Sequence, residues 1–192
     1  MFFTPEKLNK LLEADMGRRR FLKIGAVAAA AGLLPFPVVQ AHCFSPTRSL
    51  SLYSPNTGES FKGVYFAEGK YLPDALDKID HVMRDIRTGD IHLIDPNLLD
   101  ILFAISQKAR TTSPLNIISG YRCPATNAWL RKRSKRVARK SMHLFGQAAD
   151  IRVAGVRTAS LKQVAVSVKG GGVGFYPRSR FVHVDTGPIR YW

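Results

Sequence analysis

Apolar and polar positions alternate along residues 49–53, residues 60–66 are strand-like, and Asn56, Thr57 and Gly58 lie between them, which predicts a hairpin. Pro73 then opens a stretch in which Leu76, Ile79, Met83 and Ile86 recur at helical spacing. Asp95 followed by Pro96 is an N-cap and a first-turn proline, and Leu98, Leu99, Leu102 and Ile105 give this second helix its core side. Residues 115–118 predict a short strand ending in Ser119-Gly120-Tyr121-Arg122, Pro124 a third helix to about residue 138, and residues 148–153 another strand. Thr158 is the expected cap of a helix to about residue 168, and after a glycine turn at 170–172 the last strands cover 173–176 and 180–185. Helices interleaved with strands through short turns predict a single α+β domain, a mainly antiparallel sheet flanked by helices.

The chain has 192 residues, 45% of them hydrophobic, which suits one domain with a real core and excludes a wholly disordered chain. Residues 1–41 stand apart. Arg18-Arg19-Arg20-Phe21-Leu22-Lys23 precede an alanine-rich apolar run that Pro35 and Pro37 break before it reaches membrane-spanning length, and small residues lie near Ala41. This is a signal peptide, and the order Arg-Arg-x-Phe-Leu-Lys resembles a twin-arginine export signal, with Gly17 where Ser or Thr is usual. It predicts a mature domain of residues 42–192, delivered to the periplasm by the twin-arginine translocase.

Removing residues 1–41 takes away six basic and three acidic residues, so the formal charge of +15 falls only to +12. The exported domain is therefore drawn to polyanions. The densest run, residues 131–136 with Arg139 and Lys140, has no interleaved aromatics beyond Trp129, and an exported protein meets little nucleic acid. A solvated helix face or transient contact with an anionic wall or membrane surface remains. Two cysteines, Cys43 and Cys123, exclude both a disulfide scaffold and a thiolate zinc site. Whether they pair is open.

Any metal must then be held by histidine and carboxylate. His42 lies at the expected cleavage point, His81 falls in the first helix and His92 in a turn, positions that suit surface or capping roles. His143 and His183 keep different company. Strand alternation turns Ala149, Ile151 and Val153 one way and Asp150 and Arg152 the other; likewise Val182 and Val184 oppose Phe181, His183 and Asp185. If these strands are neighbours, Asp150 and His183 can share an ion, and Gly146 lets the chain turn so that His143 reaches it. Two His and one Asp with a fourth position open is a catalytic zinc arrangement, although spacing alone leaves His143 equally a structural histidine.

At these residues a resemblance emerges. Ser141-x-His143-x-x-Gly146-x-Ala148-x-Asp150, followed by a strand carrying His183, resembles the zinc peptidase family M15. Residues 117–122, 171–177 and 181–188 narrow this to its murein endopeptidase K-like group, and the likeness runs from about residue 49 to residue 192. It implies a zinc-dependent hydrolase cutting peptide cross-links of peptidoglycan, with one zinc per chain held by His143, Asp150 and His183. It further implies that Arg122 holds a substrate carbonyl or carboxylate and that Ser141 hydrogen-bonds substrate. Many members place an acid three residues before the third ligand; here that residue is Arg180, so Asp185 is the general-base candidate, with orientation of an imidazole as its other role. Gly174-Phe175-Tyr176-Pro177 brings Tyr176 toward a subsite. The other readings are a D,D- or L,D-carboxypeptidase trimming stem peptides, and a basic peptidoglycan-binding module without activity. A serine hydrolase lacks a Gly-x-Ser-x-Gly elbow, and a Cys123–His143 peptidase would leave the ligand pattern unexplained.

Overall fold

The computed structural model describes residues 47–192. The hairpin forms as β1 (Arg48–Tyr53) and β2 (Ser60–Ala67), paired antiparallel, and β2 continues into a two-residue partner, β3 (Lys70–Tyr71). Helices α1 (Pro73–Val82) and α2 (Pro96–Lys108) follow, then β4 (Leu115–Ser119), α3 (Pro124–Arg133), a 3-10 turn (Met142–Phe145), β5 (Ala148–Val153), α4 (Thr158–Val168), β6 (Gly172–Tyr176), β7 (Phe181–Asp185) and β8 (Arg190–Tyr191). The eight strands of the described residues join one sheet in the order β3-β2-β1-β4-β5-β7-β6-β8. Among the described residues, only the β1–β4 and β6–β8 pairs are parallel. The α+β architecture with a mainly antiparallel sheet is thus the one the pattern predicts.

One face of the sheet is dry. Ala149, Ile151, Val182 and Val184 are buried there with Leu98, Leu99, Leu102 and Ile105 of α2, all essentially without solvent contact, and α4 packs alongside. The Asp95 carboxylate caps α2 by accepting from the Asn97 N–H. The opposite face of β5 and β7 carries the polar residues, and β5 pairs with β7 so that Asp150 lies directly opposite His183. A register shift in β4 between Ile117 and Ser119 places Ser119 opposite Asp150, a bulge that re-aims one side chain toward that face.

Several predicted boundaries move. The first helix stops at Val82, and Ile86 is 42% exposed rather than on its core stripe. The cause is Asp85, whose carboxylate accepts from the Arg87 and Thr88 N–H groups and turns the chain away. The third helix ends at Arg133, short of residue 138, because Ser134 is extended and the Asn127 side chain binds the Ala138 carbonyl, folding the basic segment back. Thr158 is the first residue of α4 rather than its cap; Arg157 occupies the cap position with no side-chain bond. The last long strand begins at Phe181, since Arg180 is left-handed with φ 55°. Glycines 171 and 174 let the chain's own backbone and side chains approach: a Cβ on Gly171 would lie 1.8 Å from the Asp185 carbonyl oxygen, and one on Gly174 would lie 2.7 Å from the Trp192 ring.

Candidate metal centre

His143 leaves the 3-10 turn that precedes β5, Asp150 is the third residue of β5, and His183 is the third of β7. Their ligand atoms lie within 4.8 Å of one another, and all three residues are buried; among the described residues this is the group that could hold a metal ion. His183 Nδ1 is 2.9 Å from Asp150 Oδ1, and His143 Nε2 is 3.2 Å from His183 Nδ1 and 3.3 Å from Asp150 Oδ1. Three donors thus converge on one point.

The far side of each ring is fixed. His143 Nδ1 donates to the Gly120 carbonyl at 2.6 Å, and His183 Nε2 donates to Asp185 Oδ2 at 3.0 Å. Each bond holds its ring so that the other nitrogen faces the shared point, the orientation a ligating imidazole needs. Gly120 can do this because its backbone presses on Met83; a Cβ there would lie 2.3 Å from the Met83 oxygen.

Electrostatics follow burial and partners. Burial drives the His143 pKa down, against the pull of Asp150, so the ring is neutral as a ligand must be. Burial also opposes charge on His183, but hydrogen bonds to Asp150 and Asp185 raise its pKa. Asp150 is held far below the usual carboxylate range: burial works the other way, and the two imidazoles with Arg122 outweigh it.

Asp185 sits behind His183 and has no solvent contact. Its oxygens accept from His183, from the Gly172 and Gly187 N–H groups, and from Arg190 at 2.7 Å. Despite burial, these donors keep its carboxyl at about 2. The imidazole separates it from Asp150. Period-two alternation fixes a face but not which side of a neighbouring ring a carboxylate meets, and here Asp185 meets His183 at Nε2.

Arg122 lies against Asp150, donating from Nη2 to Oδ2, and its Nε donates to Ser119 Oγ at 2.8 Å. Ser141 is buried at the edge of the same cleft. Tyr176 stacks on Phe181 at 4.6 Å, and its hydroxyl accepts from Trp192 Nε1 at 3.0 Å. The cleft joining them has a volume of about 710 Å³. Two participants escaped the sequence pattern: Trp192, whose ring lies 5.5 Å from His183, and Arg190, which clamps Asp185. Both belong to or follow a two-residue strand, too short to show periodicity. His81 pairs with Glu59 and His92 stacks on Tyr121, the peripheral positions expected of them. Cys123 is buried, with Sγ accepting from the Thr126 N–H as the cap of α3; Cys43 lies outside the described residues, as does the predicted signal peptide.

Comparison with known proteins agrees with this geometry. A family model described as "Peptidoglycan L,D-endopeptidase MepK", an M15 peptidase, matches residues 43–192, and a twin-arginine translocation signal model matches residues 15–35. The chain is 43% identical over 178 residues to the peptidoglycan L,D-endopeptidase MepK of Escherichia coli strain K12, covering 93% of this chain and 98% of that protein. It is 38% identical over 179 residues to the probable peptidoglycan L,D-endopeptidase MepK of Haemophilus influenzae, covering 93% and 96%. The M15 family is generally zinc-dependent, and the twin-arginine signal directs export to the periplasm. With its converging donor set and matches that cover 93% of its length, the chain belongs to the MepK family of M15 peptidases.

Proposed function

We propose that the protein is a periplasmic zinc endopeptidase that hydrolyses peptide cross-links of peptidoglycan, with a mature domain of residues 42–192. The supporting observation is the convergence of His143 Nε2, His183 Nδ1 and Asp150 Oδ1, each ring locked from behind by Gly120 or Asp185. Two imidazoles and one carboxylate fit zinc and leave a fourth position open. When bound there, zinc supplies Lewis acidity toward a scissile carbonyl and lowers the pKa of water.

The chain's own residues do the rest. Gly120 and Asp185 hold the imidazoles in their ligating orientations. Arg122, fixed by Ser119 and Asp150, keeps a planar donor set on the cleft wall for a substrate carbonyl or carboxylate. Ser141 offers a hydroxyl beside it, and Tyr176, with Trp192 Nε1 already on its oxygen, retains its own O–H for substrate. Asp185 is a positioning residue in this account, not the proton acceptor.

The names of the relatives favour an L,D cross-link. Sacculi rich in such links, digested with the zinc-loaded protein and analysed by mass, should release uncrosslinked stem peptides. Removal of terminal D-Ala alone, with cross-links untouched, would replace this reading by the carboxypeptidase one.

A further inference from the structure

Six cationic side chains line the cleft: Arg84, Arg87, Arg122, Arg136, Lys140 and Arg190. Four are engaged within the protein. Arg84 pairs with Glu59, Arg122 with Asp150 and Arg190 with Asp185, while the Arg87 guanidinium lies 3.9 Å from the centre of the Trp129 ring. Arg136 and Lys140 have no carboxylate or ring partner among the described residues. The acids on the same wall are spent: Asp85 on the N–H groups of Arg87, Thr88 and Cys123, and Asp150 and Asp185 on the histidines and arginines already described. Among the described residues, the cleft therefore has two uncompensated positive groups and no free negative one.

Their placement is constrained. Both belong to the segment between α3 and Ser141, tied down where Ser134 N–H meets the Leu130 carbonyl at 2.9 Å and Asn127 Nδ2 meets the Ala138 carbonyl at 3.2 Å. Arg136 also borders an adjoining hollow with Tyr176 and Trp192, so it spans toward the opposite wall. Both residues are exposed, and an exposed cation by itself gains little from an anion. In a cleft whose other charges are neutralised, it selects for one.

We propose that Arg136 and Lys140 are specificity-determining residues that bind free carboxylates of an acidic peptide flanking the scissile bond; this rests on the endopeptidase reading above. A guanidinium binds a carboxylate in a bidentate fork and a lysine as a point charge, so an amidated carboxyl loses both attractions.

The test is calorimetric titration of the zinc-loaded mature protein with a peptidoglycan stem tetrapeptide, and with the same peptide amidated at its carboxyl groups. The free form should bind at least about tenfold tighter than the amidated form. Arg136→Gln with Lys140→Gln should sharply reduce that preference, leaving only what Arg122 contributes, whereas Lys135→Gln with Arg139→Gln, an equal charge loss in the same segment but off the cleft wall, should keep it whole. Equal affinity for both peptides, or equal loss in both double variants, overturns the proposal. Cross-link hydrolysis by the same samples separates the two claims. A protein that prefers the free peptide but cuts nothing keeps the carboxylate site and loses the endopeptidase reading; one that cuts cross-links regardless of amidation does the reverse.

Discussion

Asp185 shows what a single side chain decides here. Its oxygens take bonds from His183, Arg190 and the Gly172 and Gly187 N–H groups, which ties the orientation of the His183 ring to this carboxylate. Asp185→Asn should therefore weaken zinc binding by about 10- to 100-fold, the usual cost of losing a partner behind a ligating histidine. Chelator competition measures this; unchanged zinc affinity with abolished hydrolysis would give Asp185 the proton-transfer role instead. Alternation along 148–153 and 181–185 made the shared face of Asp150, His183 and Asp185 legible from sequence alone. The side of the ring that Asp185 meets was not legible, because it depends on how Gly187 and Arg190 wrap around after the strand ends.

At the level of elements, the site depends on close backbone approach. Gly120 abuts Met83 at the end of α1, and its carbonyl fixes His143. Gly120→Ala should cost about 1–3 kcal/mol of stability through overpacking and should also loosen zinc binding. Urea unfolding with metal titration reads both; a variant as stable as the wild type would remove the tight contact from the account. The hairpin is pinned to α1 in a different way. Glu59 lies in its turn and receives hydrogen bonds from Arg84 and His81. The Arg84 hydrogen bond, first among its causes, lowers the Glu59 pKa to about 2. The folded pKa is below the unfolded one, so this contact stabilises at neutral pH and is lost as pH falls from the ordinary carboxylate range toward 2. The stability gap between wild type and Glu59→Gln should be present at pH 7 and close by about pH 2; a gap that persists in acid would contradict the ionic account. Element cores were readable from Leu98, Leu99, Leu102 and Ile105, whereas helix ends were not. Asp85 and Asn127 terminate α1 and α3 through side-chain bonds that hydrophobic spacing does not register.

Across the whole molecule, sheet order is what assembles the centre. Neighbouring β5 and β7 bring residues 33 positions apart into contact, and no local pattern specifies that pairing over its alternatives. The short strands β3 and β8 and the parallel β1–β4 pair were equally beyond sequence reading, being too brief or too distant to leave a period. Export acts at the same scale. Replacing Arg18 and Arg19 together with Lys should leave uncleaved precursor in the cytoplasm, seen by fractionation; normal periplasmic levels of mature protein would indicate a general secretory route. The central claim is that His143, Asp150 and His183 hold one zinc ion per chain. Zinc analysis of the purified mature protein tests it most directly. The account predicts one equivalent in the wild type and near-complete loss in both His143→Ala and His183→Ala with the fold retained, whereas stoichiometric zinc in either folded variant would contradict it.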